Sequence, residues 1–201
     1  MAKLIHSNIP AFSIRFLIVS SIVCVLLNQR VIAQQIEPVY LSISDGLVSP
    51  TVNDVIQDKY GIIWIGTSNG VQKYDGYKLE TFKNLAGKSV SLQNNEIWGL
   101  AEDSNGNGWV ANAQGVSRYD RIKNAFTNYP FAKNFNIAPD GGRVFKIFID
   151  SKDRVWAASQ NLEVLQYNSA TDQWKYADYK VPEIEQHSHF GFSIAFTEDS
   201  K

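Results

Sequence analysis

The sequence predicts an all-β protein, a partial β-propeller built from four-stranded antiparallel blades. One motif recurs along the chain with an aspartate at positions 58, 103, 150 and 199, at intervals of 45, 47 and 49 residues. A tryptophan follows each of the first three aspartates after six residues, and Asn-Gly and Asp-Gly pairs separate short β-branched runs. A period of roughly 40–50 residues with four strands per repeat is typical of propeller blades, which bury their faces against their neighbours.

The first copy of the motif predicts four strands in order. A short apolar strand at 52–56 leads into a turn, where Asp58 accepts hydrogen bonds from nearby backbone N–H groups and Gly61 tolerates a positive φ. Trp64 lies at the centre of a β-branched second strand at 62–67, and residues 68–70 predict a hairpin turn of the Asn-Gly type. The last two strands are predicted at 71–74 and 79–82.

The later copies repeat this pattern with one notable change. The third copy has Asp153 where the first two have glycine, and aspartate is among the few residues that adopt the left-handed conformation at modest cost. We therefore expect the third turn to persist. We also expect the third hairpin to be the least regular of the three. Each tryptophan is expected to pack between neighbouring blades. A structural role is assigned to the repeated residues Asp58, Gly61, Trp64, Asp103, Gly106, Trp109, Asp150 and Trp156.

These repeats set the expected domain boundaries. Residues 34–201 are predicted to form an incomplete propeller, with three blades and the start of a fourth. The expected bounds of the four are about 47–90, 91–137, 138–182 and 183–201.

The first 33 residues differ in kind from the repeats. Lys3 and Arg15 precede an apolar run at 16–27, and small residues precede a cleavage site after Ala33, as is typical of a secretory signal peptide at 1–33. The apolar run is short of the roughly 20 residues that span a bilayer. An uncleaved N-terminal anchor is the alternative.

Composition excludes some classes of function. The net charge is −1, and no run of lysine and arginine occurs, so nucleic-acid binding is not expected. Cys24 is the one cysteine and falls within the predicted signal peptide. The mature chain would therefore contain no disulfide, and its stability would come from a packed core.

The stretch from Asp58 to Asp75, with its Asp-x-x-Gly-x-x-Trp-Ile-Gly-Thr spacing and a following Gly-Val-x-x-Tyr-Asp, resembles the two-component regulator propeller repeat. The preceding residues 43–47 resemble the lead-in to the first such repeat. The resemblance implies the N-terminal periplasmic sensor region of a hybrid histidine kinase of the Bacteroidetes type, which senses polysaccharide breakdown products. It further implies that this chain is a truncated piece. Its partners would then be the remaining blades and the kinase module of a parent that is membrane-associated through its C-terminal part and able to form a homodimer.

The loops that lead into the first strand of each copy are the candidate binding elements. They occupy equivalent repeat positions, so propeller geometry is expected to bring them together at one end of the axis, and they differ more in sequence than the strands do. Asparagine and arginine suit the hydroxyl and carboxylate groups of an acidic or neutral oligosaccharide. The candidate ligand-binding residues are Ser49, Asn94, Asn95, Arg143 and His189.

No catalytic residue, metal site or cofactor is expected. The loop that begins at Asp103 superficially resembles a calcium loop, but Gln114 stands where a bidentate glutamate is needed. His187 and His189 could bind a metal with a nearby glutamate, although a polar connection between blades is favoured. A sialidase-type Asp box fits less well, because its aspartate and glycine lie closer together. The alternative functions are a secreted propeller enzyme, either a polysaccharide lyase or a glycosidase, and a non-catalytic adhesion or scaffold module.

Overall fold

The computed structural model describes residue 38 and residues 40–131, 143–159 and 163–177. The chain divides into two compact units at 1–40 and 41–201, and every described strand belongs to the second. The predicted signal peptide, the start of the fourth blade and His189 lie outside the described residues. Within the described part, no helix is long and apolar enough to cross a membrane.

Short strands account for almost all of the regular structure in the described ranges. A single 3-10 turn, Ile43–Asp45, precedes them. The strands are β1 (Val52–Gln57), β2 (Ile63–Thr67), β3 (Gly70–Tyr74), β4 (Leu79–Phe82), β5 (Ile97–Glu102), β6 (Gly108–Asn112), β7 (Gly115–Asp120), β8 (Ala125–Pro130), β9 (Val144–Ile149), β10 (Val155–Ser159), β11 (Val164–Asn168) and β12 (Gln173–Tyr176).

The strands form three separate four-stranded antiparallel sheets in which sequence neighbours are also spatial neighbours. Blade 1 has the order β1-β2-β3-β4, blade 2 the order β5-β6-β7-β8, and blade 3 the order β9-β10-β11-β12. This arrangement confirms the predicted all-β class and the predicted four-stranded blades. Asp153 has a φ of 59° at the position where Gly61 has 83°, so the expectation that the third turn persists is also confirmed. Residues 160–162, between β10 and β11, lie outside the described ranges, which leaves the regularity of the third hairpin a prediction.

The glycine that follows the β2–β3 turn has a structural role different from the one predicted. The connection between β2 and β3 is the pair Ser68 and Asn69, and the positive φ of 120° belongs to Gly70, the first residue of β3. A Cβ at Gly70 would lie 2.6 Å from the carbonyl oxygen of Phe82 on β4. The expectation of an Asn-Gly turn is therefore wrong, because the glycine is needed for close strand approach rather than for the turn itself.

Aromatic and aliphatic side chains form one buried cluster at each junction between blades. Trp64 of blade 1 packs edge-on against Tyr119 of blade 2, with ring centroids 5.2 Å apart. Trp109 of blade 2 packs edge-on against Tyr167 of blade 3 at 4.7 Å, and also contacts Trp174. The core therefore lies between the sheets, and each blade depends on its neighbour for burial.

The first strands of the blades show this dependence directly. Ile97 and Leu100 on β5 are 0% and 6% exposed because they pack against blade 1. Val52 and Val55, which hold the equivalent positions on β1, are 41% and 53% exposed. We call the side of blade 1 that carries these two valines its leading side, and no described blade covers it.

The repeated aspartate and tryptophan of each copy are joined by a hydrogen bond. Asp58 accepts bonds from the backbone N–H groups of Tyr60 and Ile62, both at 2.9 Å, and from the indole Nε1–H of Trp64 at 2.8 Å. The same indole-to-carboxylate bond recurs from Trp109 to Asp103 at 2.9 Å, and from the third tryptophan to Asp150 at 3.0 Å. The aspartate therefore closes the turn in all three copies. In the first two copies it also fixes the ring that fills a blade junction, whereas Trp156 is half-buried.

Two of these carboxylates have pKa values below the usual range for aspartate. Burial raises the pKa of Asp58, but hydrogen bonds from Trp64, Arg121 and two backbone N–H groups outweigh that effect and lower it. Burial likewise raises the pKa of Asp150, and hydrogen bonds from Arg154, Trp156 and the backbone outweigh it. The folded protein therefore favours the ionised form of both groups.

Asp153 also links two blades. Its carboxylate accepts hydrogen bonds from the backbone N–H of Ser104 in blade 2 at 2.8 Å and from the Ser104 hydroxyl at 2.5 Å. At the preceding junction, the backbone N–H of Lys59 donates to Glu102 at 2.7 Å. The third copy thus exchanges the turn glycine for a residue that accepts the left-handed conformation and bonds the neighbouring blade.

We expect Asp153→Ala to lower the free energy of unfolding by about 2 kcal/mol, because it removes two hydrogen bonds and retains the backbone strain. Asp153→Gly loses the same bonds but relieves the strain, and should recover about 1 kcal/mol of that loss. Chemical denaturation of the two variants beside the wild-type chain tests this order. Equal stability of the alanine and glycine variants would contradict it.

Candidate functional site: a polar cleft between blades 1 and 2

The antiparallel register brings two kinds of loop to the same end of the sheets. Val52 at the start of β1 pairs with Thr67 at the end of β2, and Ile97 at the start of β5 pairs with Asn112 at the end of β6. The segments that lead into each blade therefore lie beside the β2–β3 and β6–β7 turns. We call this end the loop face, and the opposite end, which carries the Asp58-type turns, the motif face.

An open cleft of about 540 Å³ lies on the loop face between blades 1 and 2. Both predicted asparagines, Asn94 and Asn95, line it. The backbone N–H of Gly70 in blade 1 donates to the carbonyl oxygen of Asn95 at 2.7 Å, which fixes this segment across the junction. The complete lining consists of polar residues: Ser68, Asn84, Gln93, Asn94, Asn95, Glu96 and Gln114.

The two predicted asparagines use their side-chain oxygens within the protein. Asn94 Oδ1 accepts the backbone N–H of Glu96 at 2.8 Å, and Asn95 Oδ1 accepts the backbone N–H of Asn84 at 2.6 Å. No residue in the described ranges accepts a hydrogen bond from either Nδ2 group. Each asparagine is thus held in place through its acceptor while its two N–H donors remain free for a ligand.

Arg143, the third predicted residue, lies immediately before β9 beside the cleft. Its Nη2 is 3.8 Å from Oε2 of Glu96, which lines the cleft, and the two side chains are 35% and 39% exposed. An ion pair at this distance and exposure is weak. Arg143 is therefore positioned near the asparagines of blade 2 without being tightly bound by its partner.

Ser49 differs from the other candidates. It is buried, and its hydroxyl lies 2.8 Å from the hydroxyl of Ser68, which lines the cleft. The backbone N–H of Thr51 also donates to Ser49 Oγ at 3.1 Å. Ser49 thus contacts the wall of the cleft from behind, whereas His189 lies outside the described residues.

Sequence reasoning missed part of the cleft wall. Asn84 lies in the connection after β4, where its Nδ2 donates to the carbonyl oxygens of Leu92 and Gln93 at 2.8 Å. Gln114 lies in the β6–β7 turn. The repeat could have indicated Gln114. Antiparallel pairing places the turn between the second and third strands of a blade beside the loop that leads into its first strand.

The chemistry of the cleft suits binding of a polar, acceptor-rich molecule. Amide groups, one hydroxyl and one carboxylate line it in the described residues, and the carboxylate of Glu96 is paired with Arg143. Such groups can donate to sugar hydroxyls and hold a ring at a defined orientation.

Three consecutive four-stranded blades, packed through an Asp–Trp motif and carrying variable loops at one end, define a β-propeller repeat protein. The sequence profile described as "two component regulator propeller" matches residues 46–69 and 91–114. The chain therefore carries two segments that match the two-component regulator propeller repeat. The third repeat lies outside these two matched segments.

Several known proteins are similar to parts of this chain. Histidine kinase P4 of Formosa agariphila is 31% identical over 85 residues, which are 42% of this chain and 6% of that protein. A catalytically inactive virginiamycin B lyase of Staphylococcus aureus, solved with quinupristin, matches with a TM-score of 0.51 and 15% identity over 68% of this chain and 44% of its own. The extracellular domain of a proposed hybrid two-component system of B. thetaiotaomicron matches with a TM-score of 0.38 and 16% identity over 69% and 26%.

The structural similarity to the lyase, at 15% sequence identity, shows the fold alone. The chain spans 6% of the length of the curated kinase it matches.

Proposed function

We propose that this chain is part of the periplasmic ligand-sensing region of a two-component signalling receptor and that its loop face binds an oligosaccharide released from a glycan. The repeat family and the sequence relation to a histidine kinase support the sensory role. The leader at 1–33 would export the chain. The remaining blades, a membrane segment and the kinase module would belong to the parent receptor, which would signal as a homodimer.

The observation that carries the binding proposal is the pair of asparagines with free Nδ2 donors in the cleft. Their oxygens are bonded to the backbone, so the donors are held in one orientation before any ligand arrives. Preorganised donors of this kind bind hydroxyl or carboxylate oxygens without a large entropic cost. This favours a sugar over an apolar ligand.

We also propose that the chain binds its ligand without cleaving it. Most glycoside hydrolases cleave with a pair of carboxyl groups on either side of the reacting bond. Among the lining residues described for the cleft, Glu96 is the one carboxylate, and it faces Arg143. A signal would instead arise when bound sugar stabilises one arrangement of blades 1 and 2 and shifts a conformational equilibrium in the parent.

The test uses the double variant Asn94→Asp/Asn95→Asp, which preserves both side-chain acceptors and removes both amide donors. We expect it to lower oligosaccharide affinity about tenfold or more, since each lost hydrogen bond contributes about 1 kcal/mol. Titration calorimetry of the full chain with a panel of neutral and acidic oligosaccharides measures the effect.

The matched control is Gln57→Glu, the same amide-to-acid change at the motif-face end of β1. It should leave affinity unchanged. The proposal fails if no oligosaccharide of the panel releases heat or raises the melting temperature of the wild-type chain. Cleavage of the oligosaccharide by the purified chain would contradict the non-catalytic role.

A further inference from the structure

A second group of side chains on the loop face adjoins the cleft. Trp98 and Phe145 hold equivalent positions near the start of the first strands of blades 2 and 3. Neither residue is paired with the neighbouring strand, because the pairing register shifts between Ile97 and Gly99 on β5 and between Val144 and Lys146 on β9. β-Bulges re-aim a side chain relative to the sheet.

The two bulged residues meet each other. The rings of Trp98 and Phe145 lie edge to face with centroids 5.1 Å apart and an interplanar angle of 88°. Both residues are half-buried, and Trp98 follows the cleft-lining Glu96 by two residues. The bulges therefore place an aromatic pair close along the chain to Glu96, which lines the polar cleft.

Arg143 lies against this aromatic pair. Its guanidinium carbon is 5.8 Å from the centre of the Trp98 ring, and its weak contact with Glu96 joins it to the cleft. Arg143 Nε and Trp98 Nε1 are both buried, and neither has a hydrogen-bond partner among the described residues. Buried donors without acceptors are costly, so the N–H groups of this corner are not satisfied by the described residues alone.

The charge balance of this region favours an anionic group. Asn94 and Asn95 present N–H donors because their oxygens are occupied, and Arg143 presents further donors. Glu96 is more than one-third exposed, so its attraction for Arg143 is screened and the guanidinium can turn toward a stronger acceptor. A carboxylate is such an acceptor, because the guanidinium can bind both of its oxygens.

We propose that Trp98 and Arg143 form a subsite for a sugar that carries a carboxylate. The apolar face of the pyranose ring packs on Trp98, Arg143 binds the carboxylate, and Asn94 and Asn95 bind neighbouring hydroxyls. This inference rests on the proposed function, since it specifies the chemical class of the oligosaccharide. Arg143 is the residue that discriminates acidic from neutral sugars.

The experiment compares two probes of the same shape, digalacturonate and its dimethyl ester, by titration calorimetry on the full chain. We expect wild-type protein to bind the acid at least about tenfold more tightly than the ester, because a charged hydrogen-bonded pair contributes more than a neutral one. Arg143→Gln should remove that preference and leave binding of the ester nearly unchanged. Trp98→Ala should weaken both probes.

Lys123→Gln is the matched control, because it removes one positive charge from the motif face, where the side chain is 77% exposed. It should retain the full preference for the acid. Equal affinity of the wild-type chain for both probes, or an undiminished preference in Arg143→Gln, overturns the carboxylate subsite while sugar binding itself stands. Failure of both probes and of every neutral oligosaccharide overturns the subsite together with the proposed function.

Discussion

Replacing Trp109 by alanine is expected to lower the free energy of unfolding by about 3–5 kcal/mol. The side chain is 1% exposed and joins blades 2 and 3 through Tyr167 and Trp174. Its indole N–H also satisfies Asp103 at 2.9 Å. The truncation thus opens a cavity at a blade junction and leaves a buried carboxylate short of one donor, and both effects reduce stability.

Urea denaturation followed by circular dichroism measures this loss. The control is Tyr77→Ala, which removes an aromatic ring that is 97% exposed in the β3–β4 turn, and it should change stability by no more than about 0.5 kcal/mol. A loss below about 1 kcal/mol for Trp109→Ala would show that the junction is not the source of stability.

The second large effect is expected for Asp58→Ala, at about 3 kcal/mol. The Asp58 side chain is 1% exposed and forms an ion pair with Arg121 of blade 2, whose Nη2 lies 2.5 Å from it. Removing the carboxylate leaves that guanidinium and the indole of Trp64 without their common acceptor. The double variant Asp58→Ala/Arg121→Met should recover part of the loss, because it also removes a guanidinium whose remaining carboxylate partner, Glu102, lies 3.6 Å away.

This contribution depends on pH in a defined direction. The pKa of Asp58 is lower in the folded protein than its usual value, so ionised Asp58 stabilises the fold above about pH 4. That stability is lost as pH falls through the folded pKa, because the unfolded chain binds the proton first. The difference between wild-type and Asp58→Ala stability should therefore shrink below about pH 4, and a difference that stays constant to pH 2 would contradict this account.

The repeat allowed much of the fold to be predicted. The spacing of aspartate, glycine and tryptophan indicated a turn and a buried strand, and β4 begins and ends where the pattern placed it. The bond between Asp58 and Trp64 could not be predicted, because it requires the indole to turn back along its own strand toward the aspartate. The role of Gly70 was also hidden, since the atom that excludes a Cβ belongs to Phe82 on another strand.

The candidate site was predictable only in part, because strand pairing places some of its residues. Equivalent repeat positions predicted Asn94 and Asn95 at one end of the blades, and the cleft at that end contains both. Trp98 belongs to no repeated pattern, because Asn53 and Phe145 hold its position in the other copies. Its placement depends on a β-bulge, which is a feature of strand pairing and leaves no mark on a single sequence.

The exposed leading side of blade 1 has a consequence for the order of folding. Blades 2 and 3 find their packing partner in the repeat immediately before them, so their contacts close early and at low entropic cost. Val52 and Val55 have no such partner among the described blades, so covering them needs a contact separate from the two described junctions. Until such a contact forms, the two valines remain available for unintended association.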